Sequence, residues 1–231
     1  MSIHSFYENA PKHLVAVDCI IFGFEDGKLK LLIMKRKVDP MAGAWSLVGG
    51  FVQDNESTDE AAARVLKQTT GMDHIYMDQL HTYGDVNRDT GARVISVTYY
   101  ALIRIKEHDR ILANDHGAHW LSLHQIPPLI FDHSVMLQHA LDKLRDKAHT
   151  YPVGFELLPE KFTLPQLRNL YEEIYQRELD KRNFRKKILA MNILEKLDEK
   201  DKSSSKKGAH LYKFDEAKYE QLMKTGFGFT M

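Results

Sequence analysis

The sequence lacks the features that mark a secreted, disulfide-stabilised or membrane-spanning protein. Its single cysteine, Cys19, cannot form an internal disulfide, which fits a reducing cytoplasm. No apolar run approaches the roughly 20 residues that cross a bilayer. Residues 1–13 contain no apolar segment typical of a signal peptide. We therefore expect a cytoplasmic protein with no membrane partner.

A net charge is also missing, because 32 basic residues balance 32 acidic ones. The distribution is uneven, since residues 151–231 hold 16 basic and 13 acidic residues. The chain is 43% hydrophobic and 28% charged, which is typical of a globular protein with a buried core. Its 231 residues correspond to one large or two small domains.

Strand patterns and helix patterns are mixed in the first part of the chain. We predict strands in HLVAVDCIIFGF, KLKLLIMKR, WSLVGGFV and RVISVTYYALIRI. A helix is predicted from Thr58 to Thr69, because Ser57 and Glu60 form a capping box and Gly71 stands where a helix ends. Apolar residues mostly three and four apart predict a second helix from Ser134 to Lys147.

The pattern changes after residue 148. HTYPVGFELLPEKF, with two prolines and a glycine, is interpreted as a linker. Beyond it, Thr163 and Gln166 form a capping box for an amphipathic helix, and another helix is predicted from about Asp180 to Met191. The polar stretch DEKDKSSSKKGAH lies between the strand-like NILEKL and LYKF. We therefore predict two domains, residues 1–150 and 151–231.

The stretch that begins at Gly50 resembles the Nudix box, the loop–helix–loop motif of diphosphate hydrolases. Six positions match the family pattern in register: Gly50, Glu56, Arg64, Leu66, Gly71 and Met72. Three positions that carry glutamates in active members are occupied by Val65, Gln68 and Thr69. Spacings of three and four place these positions on one helix face, which in active members presents oxygen ligands to magnesium.

Because all three carboxylates are missing, we expect no catalytic residues, no bound metal and no cofactor. Asp54, Glu56, Asp59 and Glu60 could still form a relocated metal site. The simpler interpretation is that Glu56 and Arg64 orient the loop, while Asp59 and Glu60 complement the helix dipole.

The segment after the box, QLHTYGDVNRDTGARVISVTYYALI, resembles the same stretch of ADP-ribose-type Nudix proteins. A carboxylate at Asp18 interrupts an apolar strand, so it is expected to face a polar cavity. Arginines at a strand end can hold phosphates, although a polar hairpin turn explains the loop equally well. Trp45 offers a sugar a flat apolar face or belongs to the core. The predicted ligand-binding residues are Asp18, Trp45, Gly49, Gly50, Asp85, Arg88 and Arg93.

A dense basic run marks the second domain. ELDKRNFRKKILAM places five positive charges within seven residues, and we expect Phe184, Ile188 and Leu189 to pack inward. A basic run is usually a solvated surface, but this one follows an amphipathic helix after a short connection, as in a helix-turn-helix. The predicted DNA-binding residues are Lys181, Arg182, Asn183, Arg185, Lys186, Lys187, Lys206 and Lys207.

FTLPQLRNLYEEIYQRELDKRNFRKKIL resembles the C-terminal winged helix of the Nudix-related transcriptional regulators. The resemblance implies an α+β protein: a Nudix-like α/β/α sandwich on a mixed sheet, followed by a winged helix-turn-helix domain. It makes Asp180 to Lys187 the recognition helix and places Lys206 and Lys207 in the wing. Family wings commonly carry a Gly-Arg-Pro-like turn, whereas this chain has KKGAHLY.

The function implied is that of a ligand-responsive DNA-binding repressor or activator that acts as a homodimer on a palindromic operator. Arg182 and Arg185 are the expected readers of guanine edges, and Lys186, Lys187, Lys206 and Lys207 are expected to contact phosphates. A ligand that needs no magnesium is favoured, so we expect a pentose such as arabinose first and ADP-ribose next. The alternatives are a Nudix hydrolase of ADP-ribose or a related dinucleotide, and an RNA-associated binding protein.

Overall fold

A computed structural model describes residues 9–202 and 207–224. The first part contains seven strands that form one mixed sheet. They are β1 Leu14–Glu25, β2 Lys28–Lys35, β3 Trp45–Ser46, β4 Val48–Phe51, β5 Asp78–Tyr83, β6 Val94–Arg104 and β7 Ala118–Ser122. The long strand β1 is central: it pairs in parallel with β6 and antiparallel with β2 and β4.

Helices cover both faces of this sheet. They are α1 Thr58–Thr70, α2 Glu107–Asp115 and α3 His133–Thr150. Alternate side chains of β1 point to opposite faces. Val17, Cys19 and Ile21 pack with α1, whereas Ile20 and Phe22 belong to the cluster that contains α3. This arrangement confirms the predicted α/β/α sandwich.

The remaining elements form a winged helix. They are β8 Lys161–Thr163, α4 Leu164–Tyr175, α5 Lys181–Ala190, β9 Leu194–Asp201, β10 Ala209–Phe214 and α6 Glu216–Lys224. The three strands pair in the order β8-β10-β9. Thr163 caps α4 by accepting a hydrogen bond from the Gln166 amide, and Asp180 caps α5 in the same way from Asn183. Both predicted helices of this domain are therefore confirmed.

The segment interpreted as a linker is packed rather than exposed. Phe155, Leu157, Leu158 and Phe162 are each at most 8% exposed and belong to a hydrophobic cluster that runs through both parts of the chain. The linker interpretation was wrong because it relied on two prolines and a glycine and overlooked the four large apolar side chains, which are buried. Two helices, α2 and α6, were also missed, since their sequences are mostly polar.

Direct hydrogen bonds tie α4 to the β1–β2 turn. The Glu173 carboxylate accepts one from the Leu29 amide and one from the Lys28 ammonium, both at 2.9 Å. The Asn169 amide donates to the Gly27 carbonyl at 2.6 Å. These hydrogen bonds therefore hold the winged helix against the seven-stranded sheet. Within residues 9–202 and 207–224, no helix is long and apolar enough to cross a membrane.

Candidate functional site

The buried carboxylate of β1 lies within the sheet and close to glycine. Asp18 is 5% exposed and accepts a 2.6 Å hydrogen bond from the Ser96 hydroxyl on β6. It pairs across the sheet with Gly49 of β4. A Cβ atom on residue 49 would lie 2.2 Å from Asp18 Oδ1. Glycine is therefore favoured at this position, because a side chain would force the Asp18 carboxylate to shift.

Two basic side chains face the same carboxylate. Arg88 Nη2 lies 3.9 Å from one Asp18 oxygen, and His133 Nε2 lies 3.6 Å from the other. Arg88 also forms a bidentate pair with Asp132 at 2.8 and 2.9 Å. Burial acts to lower the pKa of Arg88, but hydrogen bonds and charge from Asp132, with the charge of Asp18, raise it overall. We call Asp18, Arg88, Ser96, Asp132 and His133 the Asp18 cluster.

The histidine of the Asp18 cluster has a defined orientation. His133 Nδ1 accepts a 3.2 Å hydrogen bond from the Leu47 amide. The proton of a neutral imidazole must then lie on Nε2, which faces Asp18. Sequence reasoning missed Ser96, Asp132 and His133, because their relation to Asp18 depends on strand register and on the start of α3.

The other predicted ligand residues lie around this cluster. Asp85 is exposed in the loop between β5 and β6, and Arg93 Nη1 donates to its carbonyl at 3.1 Å. Trp45 is half-buried, with Lys35 Nζ 5.3 Å from its ring centre. Its carbonyl accepts a hydrogen bond from Ile130, three residues before His133. The structure thus brings Asp18, Gly49 and Arg88 together, with Asp85 and Arg93 on the same loop as Arg88. Their roles in ligand binding remain predictions.

The Nudix box folds as expected around its arginine. Arg64 donates two hydrogen bonds to Glu56, at 2.7 and 2.5 Å, and one to the Phe51 carbonyl at 2.9 Å. The hydrogen bond from Arg64 is the largest cause that lowers the pKa of Glu56. Glu56 also accepts from the Gln53 amide at 2.8 Å. The interpretation that this pair orients the loop is confirmed.

The three positions that lack carboxylates have other contacts. Val65 is 2% exposed, and a Cβ on Gly50 would lie 2.9 Å from its Cγ2. Gln68 accepts a hydrogen bond from Arg64, and the Thr69 hydroxyl donates to the Val65 carbonyl at 2.6 Å. In the described part of the chain, no group of three or more His, Cys, Asp or Glu side chains is arranged to hold a metal ion.

Asp59 and Glu60, two acidic residues of the alternative metal site, also have partners. The phenol of Tyr99 donates to Asp59, and Glu60 accepts from the Ser57 amide and hydroxyl at 2.8 Å. Hydrogen bonds from Ser57 are the main cause that lowers the pKa of Glu60. These contacts secure the start of α1 and match the capping role predicted for Glu60.

Helix α5 presents its basic residues outward. Phe184 and Ile188 are buried, whereas Lys181, Arg182 and Arg185 are exposed. Asn183 and Lys186 are exposed too, and Lys187 is half-buried. The prediction that Leu189 packs inward was wrong, because it lies one residue beyond the buried face and is 36% exposed. Lys207 is exposed, and Lys206 lies outside the described residues.

Four of the five cations on α5 are unpaired among the described residues, unlike the lysines of β8 and β10. Among the described residues, Lys181, Arg182, Arg185 and Lys186 have no hydrogen bond or ion pair. By contrast, Lys161 pairs with Glu199, and Lys213 pairs with Glu160, both at 2.7 Å. We call the four unpaired cations the α5 basic face. Positive charge is thus available for a partner on α5 and is neutralised on β8 and β10.

Comparisons with known proteins agree with this architecture. Residues 12–140 match the family model of the NUDIX domain. Residues 154–214 match the model described as the NrtR DNA-binding winged helix domain. A curated relative from Acinetobacter baylyi, the ADPR responsive transcriptional repressor NtrR, is 33% identical over 88% of this chain and 83% of its own length. The chain belongs to the NrtR family. The predicted resemblance and fold class are therefore confirmed.

Two further relatives of this NrtR-family protein bear on its function. Shewanella oneidensis NrtR, solved with a 27mer DNA, is 27% identical with a TM-score of 0.72, and the match covers 89% of this chain and 95% of that one. Its NUDIX domain was also solved with ADP ribose, and that match has 28% identity and a TM-score of 0.53 over 62% of this chain and 99% of that one. An ADP-ribose pyrophosphatase from Methanocaldococcus jannaschii is 33% identical over 54% of this chain and 70% of its own length.

Proposed function

We propose that this protein is a transcriptional repressor that binds ADP-ribose in its Nudix domain, does not hydrolyse it, and binds duplex DNA through α5. The observation that carries the proposal is the α5 basic face, four exposed cations without partners in the described residues, fused to a Nudix domain. A duplex presents a dense row of negative phosphates, so such a face is an electrostatic match. The repressor from Acinetobacter baylyi and the DNA complex of the Shewanella oneidensis relative support the assignment.

ADP-ribose replaces a pentose as the proposed effector. The pentose preference rested on the lost metal carboxylates, and nothing in the relatives supports it. The Acinetobacter baylyi repressor is named for its response to ADPR, and the Shewanella oneidensis Nudix domain was solved with ADP ribose. Binding a diphosphate does not require magnesium where arginines supply the positive charge.

Within the predicted ligand set, the side chains that are exposed or only half-buried are the better candidates for direct contact. We assign Asp85 and Arg93 to the ligand, with Trp45 as a flat apolar surface. Arg88 and Asp18 are each buried and already paired, so we assign them to holding the loop that carries Asp85 and Arg93. Gly49 and Gly50 then act by making room, for Asp18 and Val65 respectively.

The absence of hydrolysis is part of the proposal. Val65, Gln68 and Thr69 supply no carboxylate at the three metal positions of the box, and their side chains are engaged with the core, Arg64 and the helix backbone. The relationship to an ADP-ribose pyrophosphatase keeps hydrolysis as the second candidate function. The two functions differ in one outcome, which is whether ADP-ribose survives incubation with the protein and magnesium.

A homodimer on a palindromic operator remains our proposal for the assembly, because one winged helix reads few base pairs and two-fold symmetry doubles the site. The division into a ligand domain, residues 1–150, and a DNA-binding domain, residues 151–231, is likewise proposed.

The experiment is a selection of duplexes from a random DNA pool by the wild-type protein, followed by binding titrations. A variant with glutamine at Lys181, Arg182, Arg185, Lys186 and Lys187 should lose binding to the selected duplex. Lys143→Gln is the control, since Lys143 is an exposed cation on α3. Enrichment of no sequence, or full binding by the fivefold variant, would refute the assignment of α5. Sedimentation of the complex would test for two protein chains per duplex.

A further inference from the structure

The cations on α5 fall on two different sides of the helix. Lys181 and Arg185 are four residues apart and share one side, next to the buried Phe184. Arg182 and Lys186 are also four apart and lie about 100° further round, away from the core. The two pairs therefore point in different directions from the helix axis.

The first pair borders a cavity of about 320 Å³ between α4, α5 and β10. Arg168 of α4 and His210 of β10 complete its polar lining, above Phe184 and Tyr212. We call this cavity the α4–α5 cleft. The described residues that line it include four nitrogen-bearing basic side chains and no carboxylate. Its chemistry is that of an anion site.

The arginine from α4 is held in place at this cleft. Arg168 Nε lies 3.4 Å from Glu172 Oε1, and the same oxygen accepts a 2.9 Å hydrogen bond from the Leu179 amide. Glu172 is thus fixed by the backbone that leads into α5, and it orients the guanidinium. Arg168 Nε faces Glu172, whereas His210 Nδ1 is buried and has no hydrogen-bond partner within the described part of the chain.

We propose that the α4–α5 cleft, through Arg168, Lys181, Arg185 and His210, binds a backbone phosphate of the DNA duplex, and that base reading falls to Arg182 on the outer side of α5. This inference rests on the proposed function and deepens it. It revises the expectation that Arg185 reads guanine, because the exposed Arg185 side chain lines the cleft together with Arg168. Gly208 at the wing end of β10 also lines the cleft, so a DNA strand is placed between α5 and the wing.

Phosphate contacts and base contacts leave different signatures. A phosphate contact strengthens binding to every sequence and adds about 0.9 to the slope of log affinity against log salt. A base contact changes the ratio of affinities between the selected and a scrambled duplex. The two assignments can therefore be separated on the same protein with the same two duplexes.

The test compares Arg168→Gln, Lys181→Gln, Arg185→Gln and Arg182→Gln with the wild type. Each is titrated against the duplex selected by the wild type and a scrambled duplex, between about 50 and 200 mM salt. Thermal unfolding of each variant checks that it folds. We expect the three cleft variants to lose about three- to tenfold affinity for both duplexes alike, with a salt slope lower by about one. Arg182→Gln should instead reduce the preference for the selected duplex.

A neutral backbone probe locates the phosphate. We expect one position in the selected duplex at which an uncharged methylphosphonate, in place of the phosphate, weakens binding by the wild type. Arg185→Gln should bind that modified duplex and the unmodified duplex with equal affinity. ADP-ribose binding by the cleft variants should equal that of the wild type, which separates DNA phosphate from the effector diphosphate.

Distinct outcomes refute the two proposals. A wild type that binds no duplex refutes the proposed function. A wild type that binds the selected duplex, with cleft variants that keep its affinity and salt slope, refutes the cleft alone. A loss of duplex preference in Arg185→Gln equal to that in Arg182→Gln also refutes it, as does a loss of ADP-ribose binding in the cleft variants.

Discussion

Replacing Asp18 by asparagine separates a structural role from a ligand-binding role. The Asp18 carboxylate accepts the Ser96 hydrogen bond at 2.6 Å and lies within 4 Å of Arg88 and His133. Hydrogen bonds to charged groups contribute roughly 1.5–3 kcal/mol. Arg88 keeps its bidentate pair with Asp132, so the variant should not leave a wholly unpaired buried charge. We expect Asp18→Asn to lower the free energy of unfolding by about 2–3 kcal/mol.

The assay is thermal unfolding at neutral pH, with and without ADP-ribose. For a chain of this size, about 1 kcal/mol corresponds to roughly 2–4 °C, so the melting temperature should fall by about 5–10 °C. Asp54→Asn, which removes an exposed carboxylate in the box loop, should leave it unchanged. The structural role is wrong, and Asp18 is a ligand contact, if Asp18→Asn has the same melting temperature as the Asp54→Asn control but binds ADP-ribose about tenfold more weakly.

Three further substitutions test individual contacts. Gly49→Ala should destabilise the fold, because its Cβ would lie 2.2 Å from Asp18 Oδ1, whereas Gly84→Ala, with open space around it, should melt like the wild type. The lowered pKa of Glu56 means that its contribution to stability is complete above its ordinary value of 4.5 and is lost as pH falls through the folded value. The difference in stability between wild type and Glu56→Gln should therefore shrink as urea unfolding is repeated at successively lower pH below 4.5, and a constant difference would contradict the role of the Arg64 hydrogen bonds. Glu173→Ala leaves the Leu29 amide without its acceptor and should cost about 1–3 kcal/mol in urea unfolding, with partial recovery in Glu173→Gln; equal stability of all three proteins would show that water replaces the carboxylate.

Local signals in the sequence were sufficient for the helices that carry caps. Ser57 with Glu60, Thr163 with Gln166, and Gly71 each mark an end that the structure places within a residue or two. A capping box acts over three residues, so its geometry does not depend on the rest of the fold. The helices α2 and α6 are mostly polar and lack periodic apolar residues. They were therefore not predicted from the sequence.

The composition of the Asp18 cluster could not be predicted, although its centre was. A carboxylate inside an apolar strand is anomalous by itself, and Asp18 was identified on that ground. Its partners Ser96 and His133 lie far along the chain, and they meet it only through the parallel pairing of β1 with β6 and the position of α3. Asp18 was expected to face a polar cavity, and the structure instead buries it in a network with Ser96, Arg88 and His133.

Regulation of DNA binding by intact ADP-ribose can be measured by titrating ADP-ribose, in the presence of magnesium, into the wild-type protein bound to a fluorescent selected duplex, and then recovering the nucleotide. We expect ADP-ribose to change the DNA affinity by at least about fivefold and the duplex to change the ADP-ribose affinity by the same factor, with the nucleotide recovered intact. DNA affinity that does not respond to ADP-ribose, or conversion of ADP-ribose to AMP and ribose 5-phosphate, would contradict this expectation.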